Sequence, residues 1–366
     1  MNVIGVMSGT SMDGIDIAWL ETDGETRIAH GPSSMSAYPA PLRDRLIALV
    51  ADQNRAASGD LSDIADAVTD AQCTAVEAFM LAHRLSPASV DLIGFHGQTV
   101  FHAPERRLTR QLFNGPRAAK RLGVDVVCHF RTADVAQGGQ GAPLAPLYHQ
   151  ALAKASGLAM PVMVLNLGGV ANVTYLDHDH VVAFDTGPAS AMLDDFLRLR
   201  RGQAFDRDGA LAASGRVQPS LVAQFLAHDY FGKTPPKSLD RNAFHAWMSL
   251  VAPLSDEDGA ATLAAFAIES VAAALHHVPH PPARWLVGGG GRHNAHVMQR
   301  LAKRLGVPVD PVEAVGWNGD TLEAECFGWL AVRSLKGLPL SLPSTTGVPY
   351  PMTGGEVSRA IRESIA

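Results

Sequence analysis

Apolar positions follow two rhythms along this chain. Short β-branched and aliphatic runs bounded by glycine, aspartate or proline read as strands, and longer stretches with apolar residues every third or fourth position read as helices. The opening stretch, Val3-Ile4-Gly5-Val6-Met7-Ser8-Gly9-Thr10-Ser11-Met12-Asp13-Gly14-Ile15-Asp16-Ile17-Ala18-Trp19-Leu20, sets two apolar runs around a small hydroxylated turn. Asp13-Gly14 supplies a positive-φ position, which predicts a hairpin with Ser8 to Ser11 at its tip. Gly9 lets backbone N–H groups approach a ligand, and Thr10 and Ser11 add hydroxyl donors. Converging donors of this kind suit phosphate oxygens. Asp13 and Asp16 offer carboxylates to Mg²⁺. Glycine-bearing turns are equally common on ordinary surface hairpins, so this stretch alone leaves both readings open.

A second copy changes the balance. Val162-Met163-Val164-Leu165-Asn166-Leu167-Gly168-Gly169-Val170-Ala171-Asn172-Val173-Thr174-Tyr175-Leu176 is again strand, small polar loop, strand. Two such hairpins, each opening one half of the chain, predict a duplicated α/β architecture with the loops facing each other. The pairing resembles the phosphate loops of the sugar kinase, actin and Hsp70 superfamily. Gly5-Val6-Met7-Ser8-Gly9-Thr10-Ser11-Met12-Asp13-Gly14-Ile15-Asp16 is similar to the signature of the anhydro-N-acetylmuramic acid kinases, and the resemblance runs over essentially the whole chain. It implies duplicated actin-like ATPase (ribonuclease H-like) domains flanking a central cleft. Residues 1–157 would carry the first hairpin and the sugar motifs. Residues 158–366 would carry the second hairpin, the catalytic aspartate and the adenosine site. ATP and Mg²⁺ are the implied cofactors. Gly9, Thr10, Ser11, Met12, Asp13, Gly14, Ile15, Asp16, Gly168, Gly169 and Asn172 would lie at the phosphates, with Asp13 as the metal ligand.

The remaining pattern places further motifs on these elements. A third strand is expected over 26–37, helices over 41–52 and 60–85, and a buried strand over 91–95. That strand delivers His96-Gly97-Gln98-Thr99 to its carboxyl end, where ligands lie in open α/β sheets. A lone histidine there is commonly a structural residue; the family carries the same tetrapeptide, which implies substrate contact for His96, Gln98 and Thr99. Asn114-Gly115-Pro116 starts a short helix to Leu122. The strand over 124–128 leads to Arg131, a cation able to bind a carboxylate bidentately. The family usually has Asp-Phe-Arg where this chain has His129-Phe130-Arg131. The loop Gln137-Gly138-Gly139-Gln140-Gly141 reads as a linker by composition, whereas the resemblance sets Gln140 against the sugar, with a domain crossing over 155–161.

In the second half, a strand over 181–184 ends at Asp185-Thr186-Gly187-Pro188 before a helix. An aspartate at such a boundary is a routine helix cap. The resemblance makes Phe184-Asp185-Thr186-Gly187-Pro188 the catalytic motif, with Asp185 as general base. Here the family continues Gly-Asn and this chain Ala189-Ser190. Gly288, Gly289 and Gly290, followed by a helix holding Asn294, correspond to the unit that receives adenosine in the superfamily. In the helix over 320–335, Glu323 matches an acidic position of the family's substrate site, and Glu325 is expected to face solvent.

Composition narrows the setting. The 366-residue chain has a formal net charge of −6, which argues against nucleic-acid or anionic-membrane surfaces but leaves room for a local cationic subsite. Cys73, Cys128 and Cys326 show no C-x-x-C spacing, as expected for reduced thiols. The N-terminus lacks a basic signal region, and no apolar run has membrane-spanning length. The expected setting is cytoplasmic, with an amino sugar and ATP as small-molecule partners and dimerisation left open. The resemblance implies ATP-dependent opening and phosphorylation of 1,6-anhydro-N-acetylmuramic acid. An ordinary sugar kinase and a nucleotide-switch ATPase are the alternatives.

Overall fold

The computed structural model describes residues 1–10, 12, 14–178, 180–239 and 244–361. The chain divides into two compact units, Met1–Gly157 with Thr321–Ala366, and Leu158–Asp320.

In the first unit, β1 (Asn2–Met7), β2 (Ile15–Thr22) and β3 (Ile28–Ser36) form an antiparallel meander. β4 (Leu92–Phe95) lies parallel to β1, β5 (Gln98–Ala103) and β6 (Leu108–Leu112) make a separate ribbon, and β7 (Val126–Cys128) lies parallel to β4. In the second unit, β8 (Val162–Leu167), β9 (Val170–Asp177) and β10 (His180–Pro188) form another meander, joined by the parallel strands β11 (Arg284–Gly288) and β12 (Val309–Pro311). A last strand, β13 (Glu356–Ser358), returns to pair with β7.

The sheets therefore read β3-β2-β1-β4-β7 and β10-β9-β8-β11-β12, with β13 at the edge of the first. Both use the order third-second-first-fourth-fifth, antiparallel among the first three strands and parallel after them. This is the duplicated ribonuclease H-like arrangement of actin-like ATPases. The central strands are nearly continuous apolar runs because helices cover the sheets; in β8 every residue but Asn166 is buried.

Two expectations need correction. The second unit does not extend to residue 366: its last residue is Asp320, and the helix Leu322–Lys336 packs on β1, β2 and β4 of the first unit. The contact is flush because glycine replaces a side chain under the helix. A Cβ on Gly5 would lie 1.8 Å from Ala324 O, and one on Gly94 2.2 Å from Phe327 O. Nor does Glu325 face solvent. It is buried, accepting from Tyr148 Oη at 2.8 Å and lying 3.0 Å from His30 Nδ1. Polarity alone assigned it to water, but the helix turns this position into the unit, where two partners satisfy it.

One helical stretch, Asp256–His277, is apolar and long enough to cross a membrane, contrary to expectation, yet 72% of its most apolar window is buried inside the structure. Its apolarity is that of a core helix.

The close helix–sheet approach gives a direct test. Gly94→Ala should destabilise the protein by at least about 2 kcal/mol, as overpacking of a tight core does. Gly232→Ala, where nothing lies within 4 Å of an added Cβ, should be nearly neutral. Urea midpoints of the two variants check this.

Candidate functional site

The first hairpin is held from behind by its carbonyls. Gln98 Nε2 donates to Gly9 O at 3.1 Å, Met12 N donates to the same oxygen at 3.1 Å, and Arg43 Nε donates to Met12 O at 3.1 Å. Ser8 Oγ lies 3.0 Å from Gly14 O and 2.8 Å from Gln98 Oε1, with one proton to share between them. A trans peptide points its N–H away from its C=O. Anchoring Gly9 O inward therefore turns the Thr10 N–H outward, and Thr10 is exposed. The positive φ falls at Met12 (57°), not at Gly14. The Met12 and Ile15 side chains are core residues, so only their backbone is open to a ligand role. Asp16 sits within β2 opposite Met7 and Met35. Ser11 and Asp13 lie outside the described residues.

The His-Gly-Gln-Thr stretch divides its labour. Gln98, fully buried with its oxygen and nitrogen both engaged, braces the hairpin and is withdrawn as a sugar contact. Thr99 is half-buried, and its Oγ1 accepts from Gln111 Nε2 at 3.3 Å. His96 Nδ1 lies 3.0 Å from Gly97 O, and its Nε2 faces Arg131 Nε at 3.1 Å and Nη2 at 3.0 Å. Burial, and then the Arg131 charge, hold His96 well below the usual imidazole range. A neutral ring donating through Nδ1 and accepting at Nε2 satisfies both contacts. Arg131 Nη1 donates to Gly141 O at 2.7 Å, and Asp134 Oδ1 accepts from Gly141 N at 2.7 Å. Gln140 is placed beside them by its N–H to Thr346 O at 2.6 Å. Burial lowers the Arg131 pKa, and the charge of exposed Glu323 acts in the opposite sense. The first unit thus gathers His96, Arg131, Gln140 and Glu323.

In the second unit, the glycine turn is also anchored by its carbonyls. Gly168 O accepts from Ser190 N at 3.0 Å, and Gly169 O from Ala189 N at 2.9 Å and Ala191 N at 3.2 Å. These are the free N–H groups at the start of the helix Ser190–Arg201, which otherwise lack intrahelical acceptors. Strand register then sets Asp185 opposite Asn172, Asn172 opposite Asn166, and Asn166 beside Gly288. Three adjacent strands contribute one polar row, which ends at Gly288 on the fourth. Asn166 was not among the candidates, although an amide inside an otherwise apolar strand was a visible signal. Gly289 turns away at φ 74°, where a Cβ would fall 2.3 Å from Asn166 Oδ1. Gly290 has open space at its Cβ direction. Asn294 serves its helix: Oδ1 accepts from Val297 N at 3.0 Å, and Nδ2 reaches Asp206 O at 3.5 Å. Its side-chain oxygen thus caps the helix, while one hydrogen of its amide nitrogen is not used by these contacts.

Asp185 is not a helix cap, because Ala189 occupies the cap position. Its N–H donates to Lys237 O at 3.0 Å, its carbonyl accepts from Tyr230 Oη at 2.6 Å, and Oδ2 accepts from Leu239 N at 2.7 Å. Burial pushes the carboxyl up to about 7, against the pull of the Leu239 N–H. The single hydrogen bond among the described residues does not repay the lost hydration.

The family model described as anhydro-N-acetylmuramic acid kinase matches residues 1–359. The chain is 52% identical over 354 residues to the anhydro-N-acetylmuramic acid kinase of Rhodospirillum rubrum, covering 96% of this chain and 92% of that one. It is 49% identical over 358 residues to the Paramagnetospirillum magneticum protein of the same name, covering 97% and 99%. Among solved structures, component A of the (R)-2-hydroxyglutaryl-CoA dehydratase of Acidaminococcus fermentans gives a TM-score of 0.49 at 10% identity, covering 92% of this chain and 99% of that one.

The raised Asp185 pKa has a stability consequence with a definite sign. The native state holds this proton up to about 7, and the unfolded chain releases it near 3.8. The native state therefore binds more protons in between, and the Asp185 contribution falls as pH rises through that window. Asp185→Asn removes this half-buried charge, so its Tm relative to wild type should climb from pH 5 to pH 8. A pH-independent difference in calorimetry would contradict the raised-pKa reading.

Proposed function

Because the chain belongs to the anhydro-N-acetylmuramic acid kinase family, we propose that it uses ATP to convert 1,6-anhydro-N-acetylmuramic acid into N-acetylmuramic acid 6-phosphate during peptidoglycan recycling in the cytoplasm. Asp185 takes a proton from a water whose oxygen bonds to the anomeric carbon. The bond from that carbon to O6 breaks, its electron pair goes to O6, and O6 takes the γ-phosphoryl group as ADP leaves. The observation that carries this reading is the Asp185 carboxyl, held by Leu239 N–H and pushed up to about 7. A base works best with its pKa near the operating pH.

The two hairpins are proposed to cradle the phosphates through outward N–H groups, and Gly288 to Gly290 to receive adenosine. Phosphoryl transfer asks for positioning and charge neutralisation, which suits such cradles. Among the described residues, no cluster of three or more His, Cys, Asp or Glu side chains can hold a metal. Asp13, outside the described residues, is assigned as the carboxylate that would hold Mg²⁺; the ion would neutralise charge on the phosphates. Arg131 is assigned to the lactyl carboxylate. His96 and Gly141 engage one N–H each on Nε, Nη1 and Nη2, leaving one on each terminal nitrogen for a bidentate partner.

Two expected outcomes test this assignment. Arg131→Ala should raise KM for the anhydro sugar about 10- to 100-fold, the loss of a charge-assisted bond worth about 1.5–3 kcal/mol, and leave KM for ATP nearly unchanged. An equal loss for ATP would remove Arg131 from the sugar subsite. Asp185→Asn should retain ligand binding and lose about 10²- to 10⁴-fold in kcat, and wild-type kcat/KM should fall below an acid limb near pH 7. In ¹⁸O-water with early sampling, label should enter the anomeric hydroxyl and not the phosphate. An active Asp185→Asn variant or labelled phosphate would refute the mechanism.

A further inference from the structure

We propose that Lys237 is a positioning residue for Asp185, its ammonium joining the two backbone segments that hold the base. The inference rests on Asp185 being the base, as proposed above. Asp185 is gripped by two pieces of chain. The 237–239 segment binds its N–H through Lys237 O at 3.0 Å and its carboxylate through Leu239 N at 2.7 Å. The short helix Asp229–Gly232 supplies Tyr230, whose hydroxyl donates to Asp185 O at 2.6 Å.

Lys237 Nζ ties one segment to the other. It donates to Tyr230 O at 3.2 Å and to Phe231 O at 3.4 Å, carbonyls at the end of that helix. Tyr230 O also accepts from Lys233 N at 3.2 Å, and Phe231 O lies 3.4 Å from His277 Nε2, so the ammonium is a second partner to each carbonyl. The ammonium is buried, lying 4.8 Å from the Tyr230 ring centre and 5.8 Å from that of Phe184. Successive side chains of a strand point to opposite faces. Phe184, beside the ammonium, therefore marks the face of β10 away from the Asp185 carboxylate. Lys237 acts through the backbone of its own segment and not by touching the carboxylate.

Among the described residues, few charged and titratable groups surround this frame. His277 Nε2 lies 3.3 Å from Nζ, and Lys233 is the neighbouring cation. Among the described residues, no carboxylate forms an ion pair with Lys237. Burial, and then Lys233, push Lys237 down to about 8, which leaves it charged at neutral pH. Burial, and then the Lys237 charge, lower His277. Burial, and then the Asp185 charge, push the Tyr230 phenol up, so it remains a donor. Releasing the 237–239 segment would weaken the Leu239 N–H bond, the one side-chain contact among the described residues that favours the ionised carboxylate.

The test is the pH profile of full-length enzyme carrying Lys237→Met or the shorter, uncharged Lys237→Gln. Both should move the acid limb of kcat/KM upward by about half to one pH unit and lower kcat at pH 7 about two- to fivefold, with KM for both substrates within about twofold. Activity should recover toward wild type as pH rises. A merely structural role would lower activity equally at every pH. An unshifted limb in whichever variant folds, checked by circular dichroism, overturns the proposal. If Asp185→Asn is itself active, the base assignment fails; if Asp185→Asn is inactive and the limb does not move, only the role of Lys237 fails.

Discussion

A trans peptide points its carbonyl and its N–H in opposite directions, and both glycine turns of this protein are built on that constraint. In each, the carbonyls are consumed from within. Gln98, Met12 and Arg43 take those of the first turn, and the opening N–H groups of the helix Ser190–Arg201 take those of the second. What remains outward is donor-rich backbone, the polarity that an anionic ligand requires. The sheets beneath carry the same strand order twice, so the same turn construction recurs in both halves.

Asp185 illustrates a different economy. A carboxylate in a dry setting is poor for stability and good for proton transfer, and the same burial produces both effects. The protein counters the cost with one backbone N–H from Leu239, enough to orient the carboxyl but too little to return it to its ordinary pKa. Tyr230 and Lys237 hold the backbone around it without neutralising it. In the first unit, His96 stays neutral and serves as the acceptor that aims Arg131, so part of the cation is spent on orientation.

Much of this was legible in the sequence. The apolar runs around small polar turns located both hairpins, and the motifs quoted along the chain located the family. Local chemistry sufficed there, because turn residues, strand alternation and motif order are properties of neighbouring residues. It also placed the short helix Gly115–Leu122, whose cap Asn114 accepts from Arg117 N.

What the sequence could not decide depended on residues far apart in the chain. Gln98 and Asn294 are polar residues in motif positions, and only packing revealed that the hairpin engages the Gln98 side chain and the helix the Asn294 side-chain oxygen. Glu325 reads as a surface residue until Tyr148 and His30 are brought to it across 177 and 295 positions. The C-terminal helix follows the second unit in sequence yet belongs to the first, because Gly5 and Gly94 offer its backbone a surface without side chains. Hydrophobic pattern determines which face of an element is buried; which other element covers that face, and therefore which polar groups lose water and shift their pKa, is set by tertiary contact alone.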